Sequence, residues 1–282
     1  MPDPRVLTDG LVVGESPRWH DGRLWLSHWG AREVLAVDLT GDREIMATAP
    51  VDVAFSIDWL PGGPLLVTTG PEGRLLRQQP DGSMVDHADL TGLAFEGLNE
   101  IVVDGRGNVY VNGGNDFDPP EGVVPGGIAI VTPDGEVRHV ADRLAFPNGM
   151  AVTPDNATLI VAESHARCLT AYDIATDGSL SNRRVWADVG DGPPDGICID
   201  AEGAVWYADV PHGRCVRVRE GGQILQTVDV DRGCFACMLG GPDGSTLFIA
   251  AAEWRGPERI FDQPYSGQVL AVDAPAPGAG WP

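Results

Sequence analysis

Four oxygen-bearing side chains stand at matching places along this chain: Glu15, Asn99, Asn148 and Asp195. Asn148 lies in Phe146-Pro147-Asn148-Gly149-Met150-Ala151-Val152. The pattern returns as Pro194-Asp195-Gly196-Ile197-Cys198-Ile199 and, more loosely, as Leu98-Asn99-Glu100-Ile101-Val102-Val103. In each copy the oxygen precedes a short apolar run, then a turn, then a second apolar run. Carboxylates and carboxamides without cysteine or histidine make a hard-oxygen donor set. Such a set suits Ca²⁺, Mg²⁺ or Mn²⁺, with positions left for water and substrate. Taken singly, Asn148-Gly149 and Asp195-Gly196 also read as ordinary turn pairs, and Glu15-Ser16-Pro17 as a plain loop. Turn chemistry does not explain a shared register, and the register is what points to a site.

The elements that would position these residues repeat with them. Turn-plus-strand segments centre near Trp25, Leu66, Tyr110, Ile160, Trp206 and Phe248, at intervals of 41, 44, 50, 46 and 42 positions. A unit of about 45 residues is the length of a four-stranded propeller blade. Each unit continues into a further alternating run, such as Glu33-Val-Leu-Ala-Val-Asp38 or Gln268-Val-Leu-Ala-Val-Asp273. Asp81-Gly82, Asp134-Gly135 and Asp177-Gly178 are hairpin turn pairs. The last unit stops after its third strand, while Arg5-Val-Leu-Thr-Asp-Gly-Leu-Val-Val13 precedes the first. Pairing these ends would close the ring and hide both edges. No stretch keeps a 3.6-residue apolar period. The expectation is an all-β, six-bladed propeller of four-stranded blades, one domain over residues 1–282, closed by its terminal strands. Aligned on their apolar runs, the inner strands make Glu15, Phe55, Asn99, Asn148, Asp195 and, less surely, Ala236 equivalent. Inner strands line the channel of a propeller, so these positions should converge at one mouth.

Composition narrows the partners. With 19 Lys and Arg against 41 Asp and Glu, the net charge of -22 repels nucleic acid and anionic lipid surfaces. No basic segment followed by an apolar core opens the chain, and no window reaches the length of a membrane span. Five cysteines cannot all pair within one chain, and Cys234-Phe-Ala-Cys237 has no second CxxC, so the cysteines read as small buried strand residues. The compartment expected is the reducing cytoplasm.

The motifs Gly14-Glu15-Ser16-Pro17-Arg18-Trp19, Asn99-Glu100-Ile101-Val102-Val103-Asp104, Pro147-Asn148-Gly149-Met150-Ala151 and Pro194-Asp195-Gly196-Ile197, in that order, carry a resemblance. The chain resembles the SMP-30/gluconolactonase/LRE-like family of six-bladed propellers along essentially its whole length. The resemblance implies one divalent cation held by Glu15, Asn148 and Asp195, with Asn99 completing the shell or holding substrate. Ca²⁺ comes before Mg²⁺, Mn²⁺, Zn²⁺ or Fe²⁺ in that expectation. It further implies hydrolysis of a lactone, often a sugar lactone. Two departures stand out. Sugar-lactone members commonly carry an arginine two positions before the asparagine, where this chain has Gly97. The residue after the asparagine is usually aspartate, and here it is Glu100. A less polar lactone or a related ester fits those departures.

A divalent ion would polarise the lactone carbonyl and acidify water. Asp195 is the expected base, with direct nucleophilic attack by Asp195 the alternative, and Asn99 is counted with it as catalytic. Glu100, Phe55, Trp29, Phe117, His165, His212, Phe235 and Trp254 are expected around the substrate, and residues 113–127 form a loop long enough to cover the mouth. No GxSxG elbow is present. Two other readings remain open: a propeller hydrolase acting on another ester or a phosphotriester, and a non-catalytic ligand-binding propeller with a structural ion.

Overall fold

A computed structural model describes residues 3–53, 55–95 and 97–282. Six sheets of four antiparallel strands are arranged as blades. The innermost strands of blades 1 to 5 are Val13–His20, Ile57–Trp59, Leu98–Val103, Pro147–Val152 and Pro194–Ile199. Blade 6 is composite: Gly233–Gly240, Thr246–Ala252 and Gly267–Asp273 come from the C-terminal part, and Arg5–Leu11 adds the outer strand. Arg5 pairs with Ala271 and Leu11 with Gly267, so the terminal strands close the ring as expected. No α-helix occurs among the described residues, where the one helical turn is a 3₁₀ segment at Pro257–Arg259. No described helix is long and apolar enough to cross a membrane.

The blades hold together through apolar layers between neighbouring sheets. Strand alternation supplies them: in Val205–Asp209, Val205 and Tyr207 join one cluster with Ile197 and Val216, while Trp206 and Ala208 join another with Cys198 and Cys215. All five cysteines are free thiols, four of them buried.

The segment after the last strand was not anticipated. It runs back across the ends of two inner strands: Pro277 O accepts from Ala201 N at 2.8 Å, and Trp281 exchanges backbone hydrogen bonds with Val152 at 2.6 and 2.9 Å.

Gly149 and Gly196 turn out to be strand residues within Pro147–Val152 and Pro194–Ile199, not turn residues with positive φ. Their small size serves the crowding of inner strands near the axis. A Cβ on Gly149 would come within 2.5 Å of Ile197 N and 2.7 Å of Asp195 O, and one on Gly196 within 2.5 Å of the Ala236 Cβ. Gly149→Ala must therefore push the neighbouring strand aside. We expect it to lower the urea-unfolding free energy by about 1–3 kcal/mol, as overpacking does. A midpoint unchanged from wild type would show that the seam is looser than these distances imply.

Candidate functional site

Each of blades 3, 4 and 5 begins its inner strand with a bulge. Leu98 pairs with Gly113, Pro147 with Glu163 and Pro194 with Asp209. In each case regular pairing resumes only three residues later, opposite a position two residues back. The residue after the pairing point is Asn99, Asn148 or Asp195, and the bulge re-aims it toward the channel mouth. Blade 1 uses a different offset: Glu15 itself pairs with Ser27, and Ser16 follows at φ 49. Its side chain reaches the same mouth from one ladder position earlier.

All four side chains line one cavity of about 450 Å³. Asn99 Nδ2 lies 3.4 Å from both Asn148 Oδ1 and Pro147 O. Asn148 also engages Asp195, and its Nδ2 is 3.5 Å from Ser164 Oγ, which in turn donates to Pro194 O at 2.7 Å. Asn112 Nδ2 donates to Asn148 O at 2.6 Å and fixes the strand beneath. Burial pushes the carboxyl of Glu15 well above the usual range, and the charges of Asp195 and Glu100 push it further. Asp195 is raised in the same way, by burial first and Glu100 second, against the lowering effect of Asn148. Like charges gathered in a low-dielectric site leave a place that favours a cation. Asn115, on the loop after Val109–Gly113, lines the same cavity, and its buried Oδ1 has no hydrogen-bond partner. Two carboxylates and three carboxamides, one of them with its oxygen unpartnered, fit a hard divalent ion. No group of three His, Cys, Asp or Glu side chains among the described residues could hold a metal, so any ion here needs the amides.

Apart from Ser164 and His165, the rest of the cavity is apolar. Trp29, Phe117, His165, Phe235 and Trp254 stand where they were expected, in its wall. Phe117 packs edge-on against Phe146 at 4.9 Å, and Phe146 lies 4.6 Å from the His165 ring. Burial lowers the pKa of that histidine, favouring its neutral form. Phe146 sits at φ 60, held by its neighbour Ala145, whose N–H donates to the buried Glu163 carboxylate at 2.7 Å.

Three expected substrate-side residues do not reach this cavity. Phe55 is fully buried in the apolar layer with Trp25 and Ile57, and only its carbonyl approaches the wall, accepting from Trp29 Nε1 at 2.7 Å. Its neighbour Ala54 lies outside the described residues. Glu100 points under the floor, where its Oε1 accepts from Ser16 Oγ at 3.0 Å and Arg18 Nη2 at 3.2 Å. His212 is held by Asp209, 2.8 Å from Nδ1, and Arg214 clamps the same carboxylate at 2.8 Å. Val210 and Pro211 take the place in the wall that His212 was expected to fill. Ala236, the uncertain sixth position, packs against Gly196 and contributes no oxygen.

Sequence reasoning passed over Phe146, Ser164, Asn112 and, beyond Trp254, the rest of the stretch 253–266. That stretch brings Pro257, Ile260 and Phe261 to the cavity beside Trp254. Its signal was length: no other interval inside the last blade approaches that between Ala252 and Gly267. Residues 114–125 are the corresponding excursion of blade 3 and place Asn115 and Phe117 at the rim.

A larger cavity, about 650 Å³, opens where the inner strands end rather than begin, among Arg18, Trp19, Asp58, Trp59, Met238 and Trp281. None of the four oxygen-bearing positions lines it. Its Asp58 carboxylate already accepts from Val103 N and Trp59 N at 2.8 Å. The oxygen donors gather at the smaller cavity.

A six-bladed propeller with oxygen donors gathered at the start of its inner strands defines the class of protein. Residues 13–253 match the SMP-30/Gluconolactonase/LRE-like region, and the chain belongs to that family. Regucalcin of Danio rerio is 28% identical over 282 residues, covering 95% of this chain and 92% of that protein. A 6-deoxy-6-sulfogluconolactonase of Pseudomonas putida is 31% identical over 157 residues, covering 54% of each. The structure of a luciferin-regenerating enzyme superposes with a TM-score of 0.83 at 23% identity over 98% of both chains, which shows the shared fold.

Proposed function

We propose that this protein is a divalent-metal-dependent hydrolase that opens a lactone ring. The observation that carries the reading is the convergence of Glu15, Asn99, Asn148 and Asp195 on the floor of one cavity, where burial raises the proton affinity of both carboxylates. Membership of a family named for gluconolactonase supports it, as does the sulfogluconolactonase relative. Glu15, Asn148 and Asp195 would hold the ion, with Asn99 and Asn115 beside them. The ion would polarise the substrate carbonyl and acidify water. The protein's own part is to place and deprotonate. The wall sets the lactone over the oxygen floor and excludes bulk water. The Asp195 carboxylate takes a proton from the water that adds to the carbonyl carbon and returns it to the ring oxygen as the acyl C–O bond breaks. Its basicity survives because burial and Glu100 oppose its ionisation. Asn148 orients that carboxylate, and Asn99 orients Asn148.

The test is to strip the protein with chelator, restore single divalent ions and follow lactone hydrolysis by pH indicator and unfolding by heat. Turnover should vanish on stripping and return with one ion, and an ion at about 100 times its Kd should stabilise by about 2.7 kcal/mol. Glu15 and Asp195 have raised folded-state pKa values, so their contribution to stability is complete below the unfolded values near pH 4 and is lost as pH rises through the folded ones. The stripped protein should therefore lose Tm as pH rises above the ordinary carboxylate range, and the ion should cancel that loss. A stabilising ion without turnover on any lactone or ester would favour a binding propeller instead.

A further inference from the structure

We infer that the site selects neutral lactones bearing an apolar alkyl or aryl substituent, in preference to polyhydroxylated sugar lactones. The inference rests on the lactonase reading above and adds the substrate class. Its basis is how polarity is distributed in the cavity. Polar side chains are confined to Glu15, Asn99, Asn115, Asn148, Ser164 and Asp195 at the floor, and to His165. Above them the wall is Trp29, Phe117, Phe146, Phe235, Trp254 and Phe261, interleaved with valine, proline and isoleucine. Phe235 and Trp254 meet edge-to-face at 6.0 Å on one side, and the Phe117, Phe146 and His165 rings form the other. Behind Phe235 the wall is continuous with a hydrophobic cluster that includes Val13, Val210, Ile260 and Phe261.

A sugar lactone would carry several hydroxyls into this space, and each needs a partner to replace the water it loses. The wall has little to offer them. Trp29 has its Nε1 committed to Phe55 O, at 2.7 Å. At the floor, Asn115 Nδ2 is committed to Pro147 O at 2.6 Å, and Ser164 Oγ to Pro194 O at 2.7 Å. No lysine or arginine is among the lining residues, so a sulfonate, phosphate or sugar carboxylate finds no counter-charge above two carboxylates. Gly97, just before the strand Leu98–Val103, carries no side chain, and a Cβ there would meet nothing within 4 Å. An alkyl chain, by contrast, gains from every methylene it lays against the wall. The carbonyl would sit at the floor and the substituent would extend toward Phe117 and Trp254, which are 59% and 40% exposed and mark the way out.

The experiment compares γ-butyrolactone, γ-hexalactone, γ-nonalactone and glucono-1,5-lactone with the ion-restored protein. We expect kcat/KM to rise about fourfold per added methylene until the wall is covered, with glucono-1,5-lactone below γ-nonalactone by more than tenfold. Both rim residues are exposed, so Phe117→Ser and Trp254→Ser should fold, and each should raise KM for γ-nonalactone severalfold more than for γ-butyrolactone. Calorimetric binding to the Asp195→Asn protein should be tighter for γ-nonalactone than for glucono-1,5-lactone, with a negative heat-capacity change. Glucono-1,5-lactone turned over as fast as the best alkyl lactone would overturn this inference and leave the lactonase reading standing. Equal KM changes for long and short lactones in the rim variants would likewise overturn it. Silence on all four substrates would overturn both.

Discussion

Asp195→Asn should lower kcat/KM for lactone hydrolysis by a factor of roughly 10²–10⁴, the range in which a positioned base contributes. Asparagine keeps the shape of the side chain and its neighbour Asn148, but it cannot accept a proton at neutral pH. Stability should move the other way. Burial and Glu100 both oppose ionisation of the wild-type carboxylate, so removing it relieves a cost in the stripped protein. Stripped Asp195→Asn should therefore melt no lower than stripped wild type, and should gain less from added ion. Loss of turnover with retained or higher Tm separates a chemical role from a structural one. A variant keeping more than a tenth of wild-type activity would remove Asp195 from the role of base. Single-turnover hydrolysis in ¹⁸O-water decides between base and nucleophile, since only a nucleophile acquires label in its own carboxylate.

Arg18→Met should cost about 3–5 kcal/mol of unfolding free energy, because it strands buried charge. Arg18 is 5% exposed, and it lies beneath the site floor between two carboxylates. Its Nη2 is 3.2 Å from Glu100 Oε1 and 2.6 Å from Ile101 O, and its Nε is 3.7 Å from Asp58 Oδ2. Methionine fills much of the same volume and supplies none of the charge. Glu100 would then face Glu15 and Asp195 without a counter-ion, and Asp58, already raised by burial, would lose the group that lowers it most. The double variant Arg18→Met/Glu100→Gln should recover a large part of the loss, and a double-mutant cycle in urea measures the coupling directly. A single-variant cost below about 1 kcal/mol would mean that water in the channel already screens the cluster.

These two residues divide what was legible from what was not. Asp195 was readable because its place recurs: a blade is built from neighbouring hairpins, so its turn pairs and alternation are written locally in each unit. The missing outer strand of the last blade was readable for the same reason, as a unit one strand short beside a spare strand at the other end. Glu100 was misplaced although a rule was available. Successive strand residues diverge, so a residue next to Asn99 should leave the face Asn99 presents. Phe55 was aligned correctly along the chain, but its side chain joined the blade core and left only its carbonyl near the wall.

Sequence alone determined the all-β class, the number of blades, the closure and the four oxygens, because each follows from a pattern repeated at a fixed interval. Tertiary structure decided everything that depends on contact between units. It showed that Gly149 and Gly196 are there for the approach of adjacent inner strands, which no local turn rule describes. His212 left the cavity by a local contact instead, its Nδ1 held by the Asp209 carboxylate three residues earlier. Residues 253–266, like the excursion 114–125 of blade 3, lie outside the repeated strands, and only the closed ring brings their aromatic and aliphatic side chains over the floor built by blades 1, 3, 4 and 5. A repeat fixes where a residue stands within its own unit. The neighbours it meets from another unit are set by ring geometry, and the apolar character of this site is of that second kind.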